Sequence, residues 1–358
     1  MADEQTIPAP RGGVGADEAP AVNSGSGASV GRRKPSSGRS AGWWAIRVML
    51  VVLVVIIGGY GCLLYVNLHP DIGPDGFQVR RVASTASKHL SSSPDVTSAE
   101  TTEASADLGG NDVRLDVHLK DNTSAEAAAN LLASTRQKTL QQVPHYSGEF
   151  VISVSWNAKG STIDVDVQCQ RDPEAIRTDV KRALTPIGEA KTFTGNIDDY
   201  QGPTIDYGEV TTTPTNLTQP GVKNSSKTFT MNGWKVTSTS NTDGQFSNPP
   251  FDQLITAARQ ASPAGTIDLD GTTLSVTGLV TDENKGLTPE AAAPVIHTVA
   301  DCQAAGLTTL QLNGKLQKGL SSDDHWITFV CNNGTWTPND DGNTGQDEAT
   351  ILNKAAEL

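Results

Sequence analysis

A few histidines and a scatter of carboxylates are the residues with which this chain could do chemistry. His297 and Asp301 stand four apart, with Cys302 beside Asp301. On a helix that spacing puts an imidazole and a carboxylate on one face, where they could share a metal. No second His-rich segment supplies the remaining ligands, so a solvent-facing pair is the plainer reading. His325 follows Asp323 and Asp324 at the start of a strand and reads as part of a turn. The run Asp340-Asp341-Gly342-Asn343-Thr344-Gly345 has the composition of a calcium loop. It lacks the register of an EF-hand, which needs a fixed Gly and a closing bidentate Glu. No G-x-S-x-G, P-loop or H-E-x-x-H occurs. No catalytic residue, cofactor or metal is therefore expected.

The cysteines carry more information. Cys302 lies towards the end of an expected helix, and Cys331 closes an expected strand. If the helix packs across the strand the two can meet, closing a loop of about 29 residues worth roughly 3–4 kcal/mol in the loop-entropy model. Cys169 ends an equivalent strand in the first half, but its counterpart helix offers Arg136 or a neighbour instead of a thiol. It reads as a buried free thiol, or, more sharply, as an intermolecular bridge that would make a homodimer.

Net charge is −13, and beyond Arg47 the chain holds 21 basic and 36 acidic residues, a net of −15. Such a surface repels nucleic acid, so no nucleic-acid partner is expected. Four N-x-[ST] sequons begin at Asn122, Asn216, Asn224 and Asn333. They would matter only in a eukaryotic secretory pathway, and the Ala/Gly/Thr-rich style is bacterial.

Val48 to Val66 is an uncharged apolar run. As a helix it would rise roughly 28 Å, close to a bilayer's hydrocarbon thickness. Trp43 and Trp44 before it, and Tyr60 and Tyr65 near its far end, suit the two membrane interfaces. The basic residues Arg32, Arg33, Lys34, Arg39 and Arg47 precede it, which by the positive-inside rule puts the N-terminus in the cytoplasm and the bulk outside. A cleaved signal peptide fits less well, because the run is long and no A-x-A site follows. Gly59-Tyr60-Gly61-Cys62 lacks the Leu of a lipobox. The expectation is a single-pass cell-membrane protein with an envelope protein or lipid as partner.

The elements beyond this run form a pattern that occurs twice. Residues 112–119 alternate as a strand, Thr123-Ser124 caps an Ala-rich helix, and strands follow at 149–156 and 161–169. In the second half, 273–281 alternates, Thr288 caps a helix opening on Pro289 and Glu290, and strands follow at 309–316 and 325–331. A further helix precedes each copy, at 77–90 and 251–260, and another lies at 173–184. The expected fold class is α+β: a transmembrane helix, then two similar αβαββ modules joined by flexible linkers. The expected domains are a disordered segment 1–42, the span 43–67, a first module 71–190, a linker 191–227, a second module 228–337 and an acidic tail 338–358 ending in a short helix. Residues 91–110 have the same linker composition as 201–227, rich in Ser, Thr, Gly and Pro.

The stretch from Ile267 to Leu316 resembles a BON domain. That family shows a Gly turn leading into V-x-L-x-G-x-V, an Ala-rich helix and a strand ending in an Asn-containing segment. Gly271, Leu274, Val276, Gly278, Val280 and Asn313 match. The resemblance runs from Phe251 and departs at the Thr281-to-Leu287 loop and at the extra strand ending on Cys331. It implies an envelope-associated binding module for lipid, polysaccharide or protein, and not an enzyme. The expected function is thus a membrane-anchored extracytoplasmic binding or scaffold protein of a bacterial envelope. The alternative is an enzyme or sensor whose site forms between the two modules.

Overall fold

The computed structural model describes residues 39–68, 73–107, 110–217, 220–280, 287–313, 326–339 and 346–358. The chain divides into two compact units, Met1–Tyr60 and Gly61–Leu358. In the first, helix α1 (Arg39–Leu68) begins. Among the described residues, no helix is long and apolar enough to cross a membrane. Arg39 and Arg47 are charged, and Gly42, Gly58, Gly59 and Gly61 add no apolar side chain to α1. This corrects the expected transmembrane helix and the single-pass location. Trp43, Trp44, Tyr60 and Tyr65, expected at the two interfaces, and Arg39 and Arg47, expected to orient the chain, all lie in α1. Arg32, Arg33 and Lys34 lie outside the described residues.

The second unit is built on one mixed sheet of thirteen strands, placed side by side in chain order. They are β1 (Val96–Asp107), β2 (Gly110–Leu119), β3 (Glu149–Ala158), β4 (Ser161–Gln168), β5 (Thr192–Ile197), β6 (Thr204–Glu209), β7 (Ser226–Met231), β8 (Trp234–Thr239), β9 (Gly265–Asp270), β10 (Thr273–Thr277), β11 (Thr309–Asn313), β12 (Ile327–Asn332) and β13 (Thr335–Pro338). The helices are α2 (Pro74–Ser91), α3 (Ala125–Gln142), α4 (Pro173–Ala183), α5 (Phe251–Ala258), α6 (Pro289–Thr298) and α7 (Gln346–Ala356). From β1 to β12 the pairing alternates without exception. An antiparallel hairpin is followed by a parallel neighbour reached through a crossover. Parallel neighbours cannot be joined by a tight turn, so each crossover carries a connecting segment, usually a helix. Helices α3, α4, α5 and α6 fill four of the five.

Local chemistry explains each piece. Tight hairpin turns at Lys159-Gly160, Asn232-Gly233 and Asn333-Gly334 take positive φ at both central positions, the twist that suits two-residue hairpins. Ser124, Asp172 and Thr288 cap α3, α4 and α6 by accepting the amides of Ala127, Glu174 and Ala291. Val79, Val82, Ala83, Ala86 and Leu90 make one buried face of α2. The edge strand β1 carries Glu100, Glu103 and Asp107, which discourages pairing with another sheet.

The α+β class holds, but two modules separated by a linker do not. Strands β5, β6 and the start of β7 lie within 191–227, and β1 within 91–110. Those segments have linker composition because one face of the sheet there is polar and rich in Thr, Ser and Asn. Their other face is buried: Phe193, Ile197, Ile205 and Tyr207 are at most 2 % exposed.

One crossover has no helix among the described residues. Between β6 and β7, Leu217 and Val222 are buried instead. Lys227, on the same side of β7 as Phe229 and Met231, is 3 % exposed. Its Nζ donates to the carbonyls of Asn216 (2.8 Å) and Leu217 (3.0 Å) and lies 4.1 Å from the Phe246 ring centre. Glu189 holds the same segment by accepting from Thr215 and Asn216. Burial pushes the Lys227 pKa down to about 8, against the opposing pull of Glu189. The unfolded chain, with an ordinary lysine, then binds more protons than the folded one at pH values above the folded pKa, so stability rises with pH there. Urea melts should show a gain of about 1 kcal/mol between about pH 7.5 and 9 relative to Lys227→Met. Equal pH slopes for the two proteins would contradict a depressed ammonium.

Candidate functional site

A polar cleft lies near the middle of the sheet, where the sequence suggested a junction between modules. Its volume is about 260 Å³. Arg171, just beyond β4, supplies its buried wall. Asp179 comes from α4, Asp198 and Asp199 from the β5–β6 turn, Lys223 from the helix-free crossover, and Asp243 from the loop leading to α5. Arg182 of α4 completes the charged lining.

The Arg171 side chain is 6 % exposed. Its Nε donates to Asp199 at 2.7 Å and its Nη2 donates to Asp179. The remaining nitrogen, Nη1, is buried with no partner among the described residues. Burial works against the charged form, but hydrogen bonding and charge from Asp179, helped by Asp199, outweigh it and raise the Arg171 pKa. The two carboxylates differ in setting: Asp179 is 18 % exposed and Asp199 63 %. Asp198 is fixed by its own loop, accepting the amides of Tyr200 (2.6 Å) and Gln201 (2.7 Å). The Arg182 guanidinium, the Lys223 ammonium and the Asp243 carboxylate have no partner among the described residues and are exposed.

The rim is held by backbone. Gly221 N–H donates to Gly244 O at 2.9 Å. A Cβ at Gly244, whose φ is +74°, would come within 2.4 Å of the Gly221 carbonyl oxygen. Only glycine meets both demands at that position.

The other singled-out residues separate. Cys302 and Cys331 form the disulfide, with Cα atoms 5.9 Å apart. Cys169 is a free thiol, fully buried, and burial pushes its pKa up to about 12 against the charges of Arg136 and Arg171. An intermolecular bridge would require unpacking that strand end. His297 and Asp301 do not act together. The helix ends at Thr298, Asp301 accepts the Ala304 amide (2.9 Å), and His297 Nδ1 lies 3.2 Å from the Ala355 carbonyl oxygen. Among the described residues no group of three His, Cys, Asp or Glu could hold a metal. His325 and 340–345 lie outside the described residues.

On the uncovered sheet face, polar side chains tie neighbouring strands together. Ser155 meets His118 (2.6 Å), Thr228 donates to Asp206 (3.1 Å) and Ser275 donates to Gln311 (3.1 Å). Burial raises the carboxyl pKa of Asp268 there, opposed by Thr237, Lys235 and Thr266.

No family model, curated protein or solved structure matches the chain. The BON resemblance therefore rests on its own six residues. Gly271 and Gly278 among them do take positive φ, +57° and +90°.

Sequence reasoning missed the Arg171 cleft because its parts are 8 and 28 residues apart and half of them fall in segments of linker composition. The one available signal was Arg171-Asp172-Pro173, a charged residue set against a helix cap.

Proposed function

We propose that this chain is a non-catalytic binding protein, with the Arg171 cleft as its ligand seat. One observation carries the reading. A guanidinium almost fully removed from water keeps one nitrogen unpaired beside a cleft where unpaired charges of both signs face solvent. A buried unpaired donor costs about 1–3 kcal/mol, more when charged, and a ligand that satisfied it would remove that cost. The groups around it are fixed in binding geometry: Asp179 and Asp199 are each engaged by Arg171, and Asp198 by amides. Proton transfer from such groups would first break an ion pair, which disfavours the enzyme alternative although the cleft lies where that alternative put its site. The Cys302–Cys331 bond suits an oxidising compartment, in keeping with the BON resemblance to envelope modules.

The test is a thermal-shift panel of amino acids, sugars, simple carboxylates and simple amines, with product analysis by mass spectrometry. Binding predicts a raised Tm for at least one compound and no turnover. If no compound shifts Tm, or if the stabilising compound is consumed, the reading fails.

A further inference from the structure

We infer that the cleft takes a compact zwitterion, a molecule carrying a carboxylate and an ammonium a few atoms apart, of the size of an α-amino acid or dipeptide. This rests on the reading of the cleft as a ligand seat and names what fills it.

Size sets the first limit. A cavity of about 260 Å³ lies below the usual range of roughly 300–1,000 Å³ for drug-sized ligands. A nucleotide or an oligosaccharide would not be enclosed.

Charge sets the second. Arg171 is already balanced by Asp179 and Asp199. What remains is two exposed cations, Arg182 and Lys223, and two carboxylates, Asp198 and Asp243. A simple anion would meet the cations but be repelled by the carboxylates, and a simple cation the reverse. A ligand carrying both charges satisfies both pairs.

Hydrogen bonding sets the third. Arg171 Nη1 is a donor without an acceptor, and a carboxylate is the group that matches a guanidinium edge. The ligand carboxylate takes the free Nη1 donor, with Asp199 kept on Nε and Asp179 on Nη2. The ammonium then lies towards Asp243, with the second Asp198 oxygen as a further acceptor. The backbone contact of Gly221 with Gly244 brings the Lys223 loop and the Asp243 loop together, so the two unpaired charges are held on one rim. No hydrophobic side chain beyond Val222 lines the cleft, so side-chain selectivity for a large apolar residue is not expected.

Calorimetric titration of the full chain with L-alanine, L-lysine and alanyl-alanine tests this, with acetate, methylamine and glucose as controls. At least one zwitterion should bind, and acetate and methylamine at equal concentration should bind at least tenfold more weakly. Lys223→Ala and Asp243→Asn, both at exposed positions that leave the core untouched, should each weaken zwitterion binding about tenfold. Arg171→Gln should abolish it, and a folded spectrum for that variant separates lost binding from lost structure. Glucose binding without zwitterion binding would overturn this assignment while leaving the binding reading intact. Zwitterion binding that is indifferent to both Lys223→Ala and Asp243→Asn would overturn it as well.

Discussion

Trp234→Ala should destabilise the second unit by about 3–5 kcal/mol, the range for deleting a fully buried large aromatic side chain. Trp234 opens β8 directly after the Asn232-Gly233 turn and is 0 % exposed. Its Nε1 donates to the Ser262 carbonyl at 3.2 Å, so the substitution also leaves a buried acceptor unpaired. The ring lies over its parallel neighbour Gly265. A Cβ built there would be 2.4 Å from two ring carbons and 2.4 Å from the Thr277 carbonyl oxygen. The indole and the glycine are thus one feature: the missing side chain on β9 is the space the ring fills. Gly265→Ala should cost about 1–3 kcal/mol through overpacking. The double substitution should cost less than the sum, because removing the ring relieves part of the clash. Urea denaturation of the four proteins measures this. A Trp234→Ala cost below about 1 kcal/mol would show that the ring is not a packing centre.

Breaking the Cys302–Cys331 bond should cost about 3–4 kcal/mol, from the loop-entropy model. The bridge spans 29 residues and joins the segment after α6 to β12. It closes the far end of the sheet, where β13 has only four residues. Cys302 is fully buried, so reduction should be slow while the fold is intact and quick once it opens. The paired substitution Cys302→Ala with Cys331→Ala is the cleaner measurement, because it leaves no thiol behind. Hydrogen exchange should accelerate most in β11, β12 and β13. If unfolding free energy is the same with and without the bond, the link contributes nothing to this end of the protein. Trp336 on β13 also donates from Nε1 to the Val299 carbonyl at 2.8 Å, so β13 keeps one tie to the helix layer in the variant.

What could be read from the sequence follows from which faces are buried. Strands β2 and β4 alternate strictly between core and solvent, and that pattern is plain in Asp112 to Leu119. Helices α3 and α4 carry their own caps and lie within a few residues of the expected ranges, whereas α6 starts at its Thr288 cap but ends at Thr298, short of Cys302, which was expected inside the helix. Strand β1 could not be found that way, because as an edge strand it is mostly exposed on both faces. The segment around Lys227 misled for a different reason. A lysine in a Thr- and Ser-rich stretch reads as solvated, and only tertiary structure shows that two carbonyls and a ring enclose it. The two αβαββ copies expected from the sequence are not separate modules. One helix and one hairpin recur along a single sheet, and the β6–β7 crossover carries no helix among the described residues. The disulfide was legible from the helix before Cys302 and the strand holding Cys331, although Cys302 itself lies in the turn after α6. The cleft was not, since its charged residues are brought together by sheet order and share no local motif.

The strand order has a thermodynamic consequence. Because every strand pairs only with those before and after it in the chain, the free energy is close to a sum of intrinsic and nearest-neighbour terms, as in a one-dimensional lattice. Cooperativity in such an array travels only as far as its interfaces are strong. The strongest helix contacts link α2, α3 and α4 in one block and α5, α6 and α7 in another. The helix-free link between them is where a melting front would stall, so the two blocks can unzip as separate cooperative segments although they share a single sheet.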